Sequence, residues 1–380
     1  MTYVTRRTTL ISGIVGFGGL ALGAGKVAAQ QTSSAWAAFD ASHNVNPEKI
    51  APYKARFGRI KPLIAIVGLN EGTVISDFCI PFGVLARSDV ADVISVSVKP
   101  GPVKMPPLTF ELQSTIDEFD HHYPDGADYL FVPAVGNFRD VSLTKWIMSQ
   151  SVKGGTIISI CYGALPVANS GLFNGRRATS HYSNEAMRAD LFPKVKWQKN
   201  IRYVADGKVV SSAGVTASMP VAVALVEAIA GPTKAAQVAN DLGIDGWDSR
   251  HNSDAFKADP ANSDMPDGKK QPQVTVGIPV ENGDDEIALA LTAEVYTTNG
   301  VTTAVAVAAT RAPLRLAQGL ILLPDVAADS TGSLDRTLPP LDDHHATRAL
   351  DIALADISKV YGRKSARHVA LFMEYPGFKG

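Results

Sequence analysis

Short apolar runs recur along the first two thirds of the chain, and glycine, proline or polar residues close each of them. Runs of about four to eight apolar residues are typical of strands buried on both faces. They predict strands at 62–69, 93–98, 109–112, 128–136, 156–160 and 209–214. The segments between them predict helices at 73–87, 139–152, 163–170 and 217–230. This alternation predicts an α/β fold, a mostly parallel sheet with helices on both faces.

The last third of the chain repeats the pattern of the first. Residues 274–325 align with 64–113 nearly without gaps, as a strand, an Asn/Glu-Gly loop, a helix and a valine-rich strand. The end of the chain resembles residues 221–244. An internal repeat takes precedence over local detail in a fold prediction. We therefore predict a degenerate, partial second copy at 273–380, which lacks the middle third of the first copy and packs on it within the chain.

Two polar segments divide the chain. Residues 30–58 are polar and irregular, and residues 251–272 are rich in Asp, Pro and Asn. Such segments between periodic regions are typical of loops, so both are predicted to be linkers. The first copy then occupies residues 59–250.

The N-terminus has the features of a targeting segment. Arg6 and Arg7 precede a glycine-diluted apolar stretch, and Val27-Ala28-Ala29 follows it. This order predicts an export signal at 1–29 of the twin-arginine type, and hence a periplasmic or secreted protein. The alternative is an uncleaved N-terminal anchor. The apolar stretch at 10–25 is shorter than the roughly 20 residues that span a bilayer, so we expect no stable membrane span after cleavage.

Composition narrows the classes of function. The 380 residues are 46% hydrophobic and 19% charged, which is typical of a folded chain with a sizeable core. The formal net charge of −1 argues against nucleic acid as the main partner. The two cysteines, Cys79 and Cys161, can form neither a disulfide framework nor a cysteine-based zinc site. We predict a small-molecule substrate and neither a metal nor a cofactor.

Two clusters have side chains that could bind a metal, at 120–122 and at 342–345. Adjacent residues rarely converge on one ion, so both clusters are predicted to be solvated turns. Cys79 lies within the first predicted helix and is predicted to be a core residue.

Cys161 stands at a predicted corner between a strand and a helix, in the sequence SICYG at 159–163. A nucleophile elbow places its reactive side chain on such a turn, and the next residue offers a backbone N–H to developing negative charge. The pentapeptide has the G-x-S-x-G layout with Ser and Cys in the first and third places. The helix N-terminus is expected to lower the pKa of the thiol. The alternative is a buried cysteine that packs as a small hydrophobe.

The segment SICYGALPVANSGLFNGRRATSHY at 159–182 resembles the elbow region of the ThiJ/PfpI superfamily, which is related to class I glutamine amidotransferases. It is most similar to the branch that contains isonitrile hydratase and the amidotransferase-like domains of AraC-type regulators. VVSSAGVTASMPVAVALVE resembles the strand and helix that follow the elbow in that branch. The resemblance covers roughly residues 62–250, and it implies a flavodoxin-like, class I glutamine amidotransferase-like fold.

The resemblance also implies catalytic residues. Cys161 would be the nucleophile, and an acidic residue of the first loop or helix would lie against it. That position falls on Asp77, with Glu71 as the competitor. His181 would act as a general base or position the substrate, and the alternative is a structural histidine bonded to backbone.

Further residues would bind substrate or developing charge. Tyr182 would form a wall of the pocket, and Gly163 would flank the nucleophile. The N–H of Tyr162 would be one oxyanion donor. The second donor would be Gly136, with Ala134 as the rival.

The departures from the family pattern restrict the activity. PfpI peptidases carry His directly after the cysteine, where this chain has Tyr162, and the His-x-Glu pair of glutamine amidotransferases is not found. The resemblance implies a cysteine-dependent hydratase (hydro-lyase) or hydrolase that acts on a small electrophile, as isonitrile hydratase does. The alternative is a non-catalytic ligand-binding or oxidation-sensing protein that uses the Cys161 thiolate. A homo-oligomer is left open.

Overall fold

The computed structural model describes residues 47–244, 246–257, 274–341 and 345–378. The predicted export signal and most of both predicted linkers lie outside the described residues, as does most of the cluster at 342–345. Among the helices within the described ranges, none is long and apolar enough to cross a membrane.

The N-terminal region, 47–257, contains every strand and helix that the sequence predicts for it. Its strands are β1 (Leu63–Gly68), β2 (Asp92–Ser97), β3 (Val103–Met105), β4 (Leu108–Glu111), β5 (Ser114–Thr115), β6 (Tyr129–Val132), β7 (Thr156–Ser159), β8 (Arg177–Ala178), β9 (Lys196–Trp197), β10 (Tyr203–Asp206) and β11 (Val209–Ser212). Its helices are α1 (Ile75–Ser88), α2 (Ile116–His122), α3 (Val141–Val152), α4 (Ala164–Asn169), α5 (Glu185–Leu191), α6 (Ser218–Ala230) and α7 (Pro232–Leu242).

A seven-stranded sheet in the order β10-β11-β7-β6-β1-β2-β5 forms the centre of this region. Neighbouring strands are parallel except for β10, which is antiparallel to β11. Successive residues of β1 enter opposite cores: Ile64 and Ile66 enter one, and Leu63, Ala65 and Val67 the other. Both faces of the sheet are therefore covered, which explains the continuous apolar runs and confirms the predicted fold class.

The C-terminal region, 274–378, builds a smaller parallel sheet. Its strands are β12 (Val274–Pro279), β13 (Thr302–Ala308), β14 (Leu314–Arg315), β15 (Ile321–Leu323), β16 (Val326–Ala327) and β17 (Arg336–Thr337). Its helices are α8 (Glu286–Thr298), α9 (Arg348–Tyr361) and α10 (Arg363–Phe372). The sheet order β16-β13-β12-β17 has the same form as β5-β2-β1-β6 in the larger sheet. The origin of this region as a partial second copy stays a prediction.

The two regions share one sheet and one core. β4 pairs antiparallel with β15, so the β3–β4 and β14–β15 hairpins form a four-stranded sheet in the order β14-β15-β4-β3. Helix α1 packs against α8. A single apolar cluster contains Ile64 and Phe78 together with Ile278 and Leu291. Each element at this junction meets its counterpart, which gives the junction an approximate two-fold relation.

Residues 47–58, the described end of the first predicted linker, contain neither helix nor strand. They are nevertheless attached to the N-terminal region. The Glu48 carboxylate pairs with Arg177, the N–H of Glu48 donates to Ser249 Oγ at 2.7 Å, and the side chain of Ile50 is buried. Ion pairs and backbone bonds fix this segment, and its polar composition gives no sign of them.

Candidate active site

Cys161 lies on a strained turn between β7 and α4. Its φ is 56°, a left-handed value that costs a residue other than glycine about 1–2 kcal/mol. A single 3₁₀ turn, Cys161–Gly163, leads into α4. Gly163 is required there, because a side-chain carbon at that position would overlap the carbonyl oxygen of Val132. The turn therefore has the form of a nucleophile elbow.

Hydrogen bonds from three sides hold the backbone of this elbow. The N–H of Ile160 donates to Val132 O at 3.0 Å, and the N–H of Cys161 donates to Ala213 O at 3.1 Å. Ser180 Oγ donates to the carbonyl oxygen of Cys161 at 2.8 Å. Cys161 is buried, with 5% of its surface exposed.

Asp77 is the carboxyl group beside the thiol. It lies in the first turn of α1, is fully buried, and accepts a hydrogen bond on Oδ2 from the N–H of Ala134 at 3.1 Å. The thiol of Cys161 interacts with this carboxyl, and Oδ1 has no nitrogen or oxygen partner among the described residues. The competitor Glu71 has a 75% exposed side chain and pairs with Lys104 at 3.3 Å. The geometry therefore favours Asp77 as the acid.

Burial raises the pKa of both groups. Burial, followed by the charge of Glu294, raises the pKa of Asp77 well above its usual range. Burial likewise raises the pKa of the Cys161 thiol, and the carboxylates nearby raise it further, although the N–H of Tyr162 lowers it. The expectation that the helix N-terminus gives a low thiol pKa is thus wrong, because desolvation outweighs the N–H and the helix end.

His181 is held at both ring nitrogens. Its Nδ1 accepts from the N–H of Ser183 at 3.2 Å, and its Nε2 lies 2.6 Å from the carbonyl oxygen of Phe372. A ring that accepts at Nδ1 and faces a carbonyl with Nε2 is the neutral tautomer with its proton on Nε2. The ring also stacks on Tyr182 with centroids 4.6 Å apart. These contacts favour the structural alternative for His181 over a general base.

Tyr162 and Tyr182 lie on either side of His181. The hydroxyl of Tyr162 lies 2.6 Å from Ser183 Oγ, and its ring is edge-on to His181 at 5.5 Å. Burial raises the pKa of Tyr182 to about 12, so its phenol is neutral. Both rings are half-buried, as pocket walls would be.

The second predicted oxyanion donor is occupied. The N–H of Gly136 donates to the carbonyl oxygen of Gly72 at 2.8 Å. The rival donor, the N–H of Ala134, is the one that Asp77 accepts. Of the predicted donors, the N–H of Tyr162 is the one that interacts with the thiol.

Two glutamates of the C-terminal region approach the site, and the sequence analysis missed both. Glu294 on α8 accepts from the N–H of Ser76 at 3.2 Å and from its hydroxyl, one residue before Asp77. Glu374 accepts from the N–H of Tyr182 at 3.1 Å and pairs with His251 Nε2 at 2.6 Å. Although burial opposes ionisation, the hydrogen bond with His251 helps to lower the pKa of Glu374 to about 2. In the predicted alignment of the C-terminal region with the N-terminal one, both glutamates align with glycines. This difference is the sequence signal that could have found them.

The remaining candidates lie apart from the site. Cys79 is fully buried within α1, and burial raises its pKa well above its usual range, in agreement with a core role. Asp120 pairs with Lys153 at 2.9 Å, and His122 Nδ1 bonds the carbonyl oxygen of Glu118. In the part of the chain that the structure describes, no group of three His, Cys, Asp or Glu side chains could hold a metal ion.

Comparison with known proteins gives three kinds of similarity. Residues 64–228 match the model of the DJ-1/PfpI family. Isonitrile hydratase of Pseudomonas putida is 29% identical over 142 residues, which are 37% of this chain and 57% of that protein. The HTH-type transcriptional regulator CdhR of Pseudomonas aeruginosa is 31% identical over 120 residues, which are 30% of this chain and 35% of the regulator. The matches thus span little more than half of one curated relative and about a third of the other.

Among solved structures, Drosophila melanogaster DJ-1beta is similar with a TM-score of 0.44 and 21% sequence identity. The match covers 49% of this chain and 100% of that structure.

Proposed function

We propose that this chain, which carries a DJ-1/PfpI family domain at residues 64–228, is a cysteine-dependent hydratase or hydrolase for a small electrophilic molecule. The pairing of Cys161 with Asp77 carries the proposal. The cysteine has a strained φ of 56°, and the carboxyl beside it is fully buried with one oxygen unpartnered among the described residues. Backbone strain and unpartnered buried polar atoms persist mainly at functional sites.

The raised pKa values of the two groups suit a substrate that takes up both a proton and a nucleophile. An isonitrile is such a substrate, and the similarity to isonitrile hydratase supports this class. Asp77 gives its proton to the isonitrile carbon while the sulfur of Cys161 bonds to that carbon. The thiol proton replaces the one that Asp77 gave, and the N–H of Tyr162 stabilises the sulfur as its proton leaves. The product of this step is a thioimidate on Cys161.

Water completes the reaction. It adds to the thioimidate carbon, one of its protons goes to nitrogen, and the C–S bond breaks as the other proton returns to sulfur. The products are an N-substituted formamide and the free thiol, so the net reaction is hydration. Asp77 is the group beside the sulfur that can move these protons.

An oxidation-sensing role fits the site less well. Oxidants attack the thiolate, and sensor cysteines combine a low pKa with solvent access. Cys161 is 5% exposed, and burial raises the pKa of its thiol.

We also propose that the protein is exported and that the C-terminal region takes the place of a dimer partner. Export is supported by Arg6-Arg7 and Val27-Ala28-Ala29. Replacing both arginines with lysine should keep the protein in the cytoplasm, and normal export of that variant would contradict the twin-arginine route. The partner role is supported by the β4–β15 pairing and by the contact of α1 with α8.

Turnover of alkyl isonitriles tests the activity. Formamide should form with the unchanged protein and not with Cys161→Ser, and Asp77→Asn should lose about 100-fold or more in rate. Cys79→Ala is the matched control, because that thiol lies in the core and should be dispensable. If neither isonitriles nor α-oxoaldehydes give a product or an adduct on Cys161, the proposal fails.

A further inference from the structure

The approximate two-fold relation allows each side of the junction to be compared with the other. In the register that aligns 64–113 with 274–325, Gly83 stands opposite Glu294, and Ser76 stands opposite Ile287. A second alignment pairs Gly231 with Gly362. These glycines join the helix pairs α6–α7 and α9–α10 and have φ values of 85° and 91°. These two registers show which residues differ between the sides.

The first difference lies where α1 meets α8. The N-cap of α1, Val74, makes no capping bond, and the Glu294 carboxylate accepts from both the N–H and the hydroxyl of Ser76 instead. Glu294 therefore caps α1 from the other region. On the opposite side the pair is apolar: a side-chain carbon on Gly83 would lie 2.7 Å from Ile287 Cγ1. The carboxylate lies on the side that carries the thiol.

The second difference lies after the paired helices. Gly243 follows α7 with a φ of 77°, and glycine is the usual residue at this left-handed position. Its counterpart after α10 is Glu374, which has a φ of 53° and a buried side chain. That side chain fits because Gly214 has none: a side-chain carbon there would lie 2.7 Å from Glu374 Cδ. A strained, buried glutamate thus occupies a place that glycine fills on the other side.

The backbone around these two positions is similar on both sides. The Thr216 N–H donates to Met373 O at 3.1 Å, and its hydroxyl donates to Glu374 O at 2.6 Å. The counterpart of Thr216 is Thr347, whose N–H donates to Leu242 O at 3.4 Å. Its hydroxyl donates to Leu242 O at 2.7 Å and to Gly243 O at 3.4 Å. The scaffold therefore needs no glutamate at this position, and another role must account for Glu374.

Both glutamates lie near the thiol site. Glu294 binds the residue before Asp77, whose carboxyl interacts with the thiol, and Glu374 binds the N–H of Tyr182. Glu374 also lies against Gly214, which follows the residue whose carbonyl holds the N–H of Cys161. The charges of both carboxylates contribute to the raised pKa of the thiol.

The groups around these carboxylates set how much of their charge reaches the thiol. Burial raises the pKa of Glu294, and its hydrogen bonds with Ser76 lower it. His251 pairs with Glu374 through Nε2, and His181 Nε2 lies 3.9 Å from the same carboxylate. The guanidinium of Arg188 contacts the carbonyl oxygens of Ser180 and His181. The phenols of Tyr162 and Tyr182 are neutral because burial raises their pKa values.

We propose that the C-terminal region completes the thiol site with the carboxylates of Glu294 and Glu374, which admit neutral or cationic electrophiles to Cys161 and disfavour anionic ones. The proposal rests on the proposed function in one respect, that Cys161 is the residue that meets the substrate.

A pair of alkylating reagents of equal size and different charge tests the proposal. Iodoacetamide is neutral and iodoacetate is anionic, and both alkylate the thiolate, so the ratio of their rates cancels any change in thiol pKa. Rates at Cys161 are measured at pH 8 by peptide mass spectrometry and divided by those of 2-mercaptoethanol. The unchanged protein should prefer iodoacetamide about tenfold more than 2-mercaptoethanol does. Glu294→Gln and Glu374→Gln should each lower that preference about three- to tenfold.

Glu286→Gln is the matched control. It neutralises a buried glutamate of the same helix, α8. The charge of Glu286 raises the pKa of Cys79, and it is not among the charges that raise the pKa of Cys161. Its preference should equal that of the unchanged protein. An unchanged preference in Glu294→Gln or in Glu374→Gln overturns the role of that glutamate. An equal fall in all three variants overturns the proposal, because it indicates a general loosening.

A second measurement needs no variant. Cys161 is treated with three methanethiosulfonates: the cationic aminoethyl, the neutral methyl and the anionic sulfonatoethyl reagent. Relative to their rates with 2-mercaptoethanol, their rates with Cys161 should fall in that order. Equal relative rates for the three reagents would overturn the proposal. Alkylation requires no turnover, so the two proposals can fail separately. A charge preference without formamide production would contradict only the hydratase proposal. Formamide production without the charge preference would contradict only the proposed role of the two glutamates.

Discussion

Helices α1 and α8 pack against each other, yet they begin in different ways. Helix α8 caps itself: Asp285 Oδ1 accepts from the N–H groups of Ile287 and Ala288 at 2.8 and 3.0 Å. Helix α1 has no side-chain cap of its own and takes that of Glu294. The cap that crosses this contact therefore passes in one direction, from the C-terminal to the N-terminal region, although Asp285 also pairs with Arg87 of α1.

The same direction holds after the second helix of each pair. The C-terminal region places the Glu374 carboxylate in the N-terminal region, where Tyr182 and His251 bind it. At the counterpart position the N-terminal region presents Gly243, which has no side chain to offer. The region without a thiol thus supports the region that has one. Its contribution is therefore more than the packing on the first copy that the sequence predicts.

Removal of the C-terminal region should have the largest effect. A chain that ends at Asp264 exposes the part of the shared core that contains Ile64 and Phe78, and it loses the strand that pairs with β4. Large exposed apolar patches drive association, so most of this protein should be insoluble or aggregated. Soluble fraction and size-exclusion chromatography measure this. A monodisperse, fully active truncated protein would show that the N-terminal region is independent.

The stability of the two regions should differ in its response to pH. Glu286 stands opposite Ile75, and burial raises the pKa of this glutamate from 4.5 to about 7. A raised carboxyl pKa gives stability that is full below pH 4.5 and is lost as the pH rises through 7. The free energy of unfolding should fall by about 3 kcal/mol across that window from this group. Urea unfolding at several pH values should show that Glu286→Gln removes the fall.

In the same urea unfolding experiment, Glu374→Gln should change the pH dependence of stability in the opposite direction. Its pKa is lowered to about 2, so its contribution to stability is present above pH 4.5 and is lost as the pH falls towards 2. If both variants respond to pH as the unchanged protein does, the two carboxyl groups do not titrate as their surroundings indicate.

Filling the space at Gly214 should cost less. Gly214→Ala places a methyl group 2.7 Å from Glu374 Cδ, and overpacking of this kind costs about 1–3 kcal/mol. Glu374→Gly removes the clash and the strained φ but also the carboxylate that Tyr182 and His251 bind, so Gly214→Ala should cost less in the Glu374→Gly background than in the unchanged protein. Thermal unfolding of the four proteins measures this. The exposed Gly332→Ala is the control, and an equal cost of Gly214→Ala in both backgrounds would show that Glu374 does not fill this space.

Loss of the cap on α1 should have the smallest effect. Glu294→Ala removes both bonds to Ser76 and should lower the free energy of unfolding by about 1 kcal/mol. It also removes a negative charge near Cys161, so iodoacetamide should alkylate that thiol faster at pH 8. Asp285→Ala removes the cap on α8 and also the ion pair with Arg87 of α1, so it should cost at least as much, without the gain in alkylation. Faster alkylation in both variants would indicate loosening of the helix pair.

The fold and the elbow could be predicted because their determinants are local. The apolar run of β1 and the glycine at 163 set a buried strand and a tight turn, and these appear where the sequence places them. Asp77 and Cys161 could be paired through the family resemblance. Glu294 and Glu374 could not be predicted. Glu294 binds Ser76, 218 residues earlier in the chain, and Glu374 binds Tyr182, 192 residues earlier. Long-range packing, which no local pattern encodes, brings them there.

Other predictions failed because backbone partners are not visible in a sequence. Gly136 is a plausible donor until the carbonyl of Gly72 is seen to accept its N–H. The thiol pKa depends on how fully the elbow is buried, and a motif of five residues does not show that. His181 Nε2 is bonded to the carbonyl oxygen of Phe372, which belongs to the C-terminal region.

The covalent link between the two regions has a consequence for how the site could arise. In a symmetric homodimer, every interface substitution is made twice, once on each side. A glutamate introduced for one thiol would then also appear beside the other, together with the glycine that must make room for it. Here one chain contains both sides, so Gly83 and Glu294, or Gly243 and Glu374, can differ from each other. An interface within one chain can therefore build a single pocket without a second one opposite it.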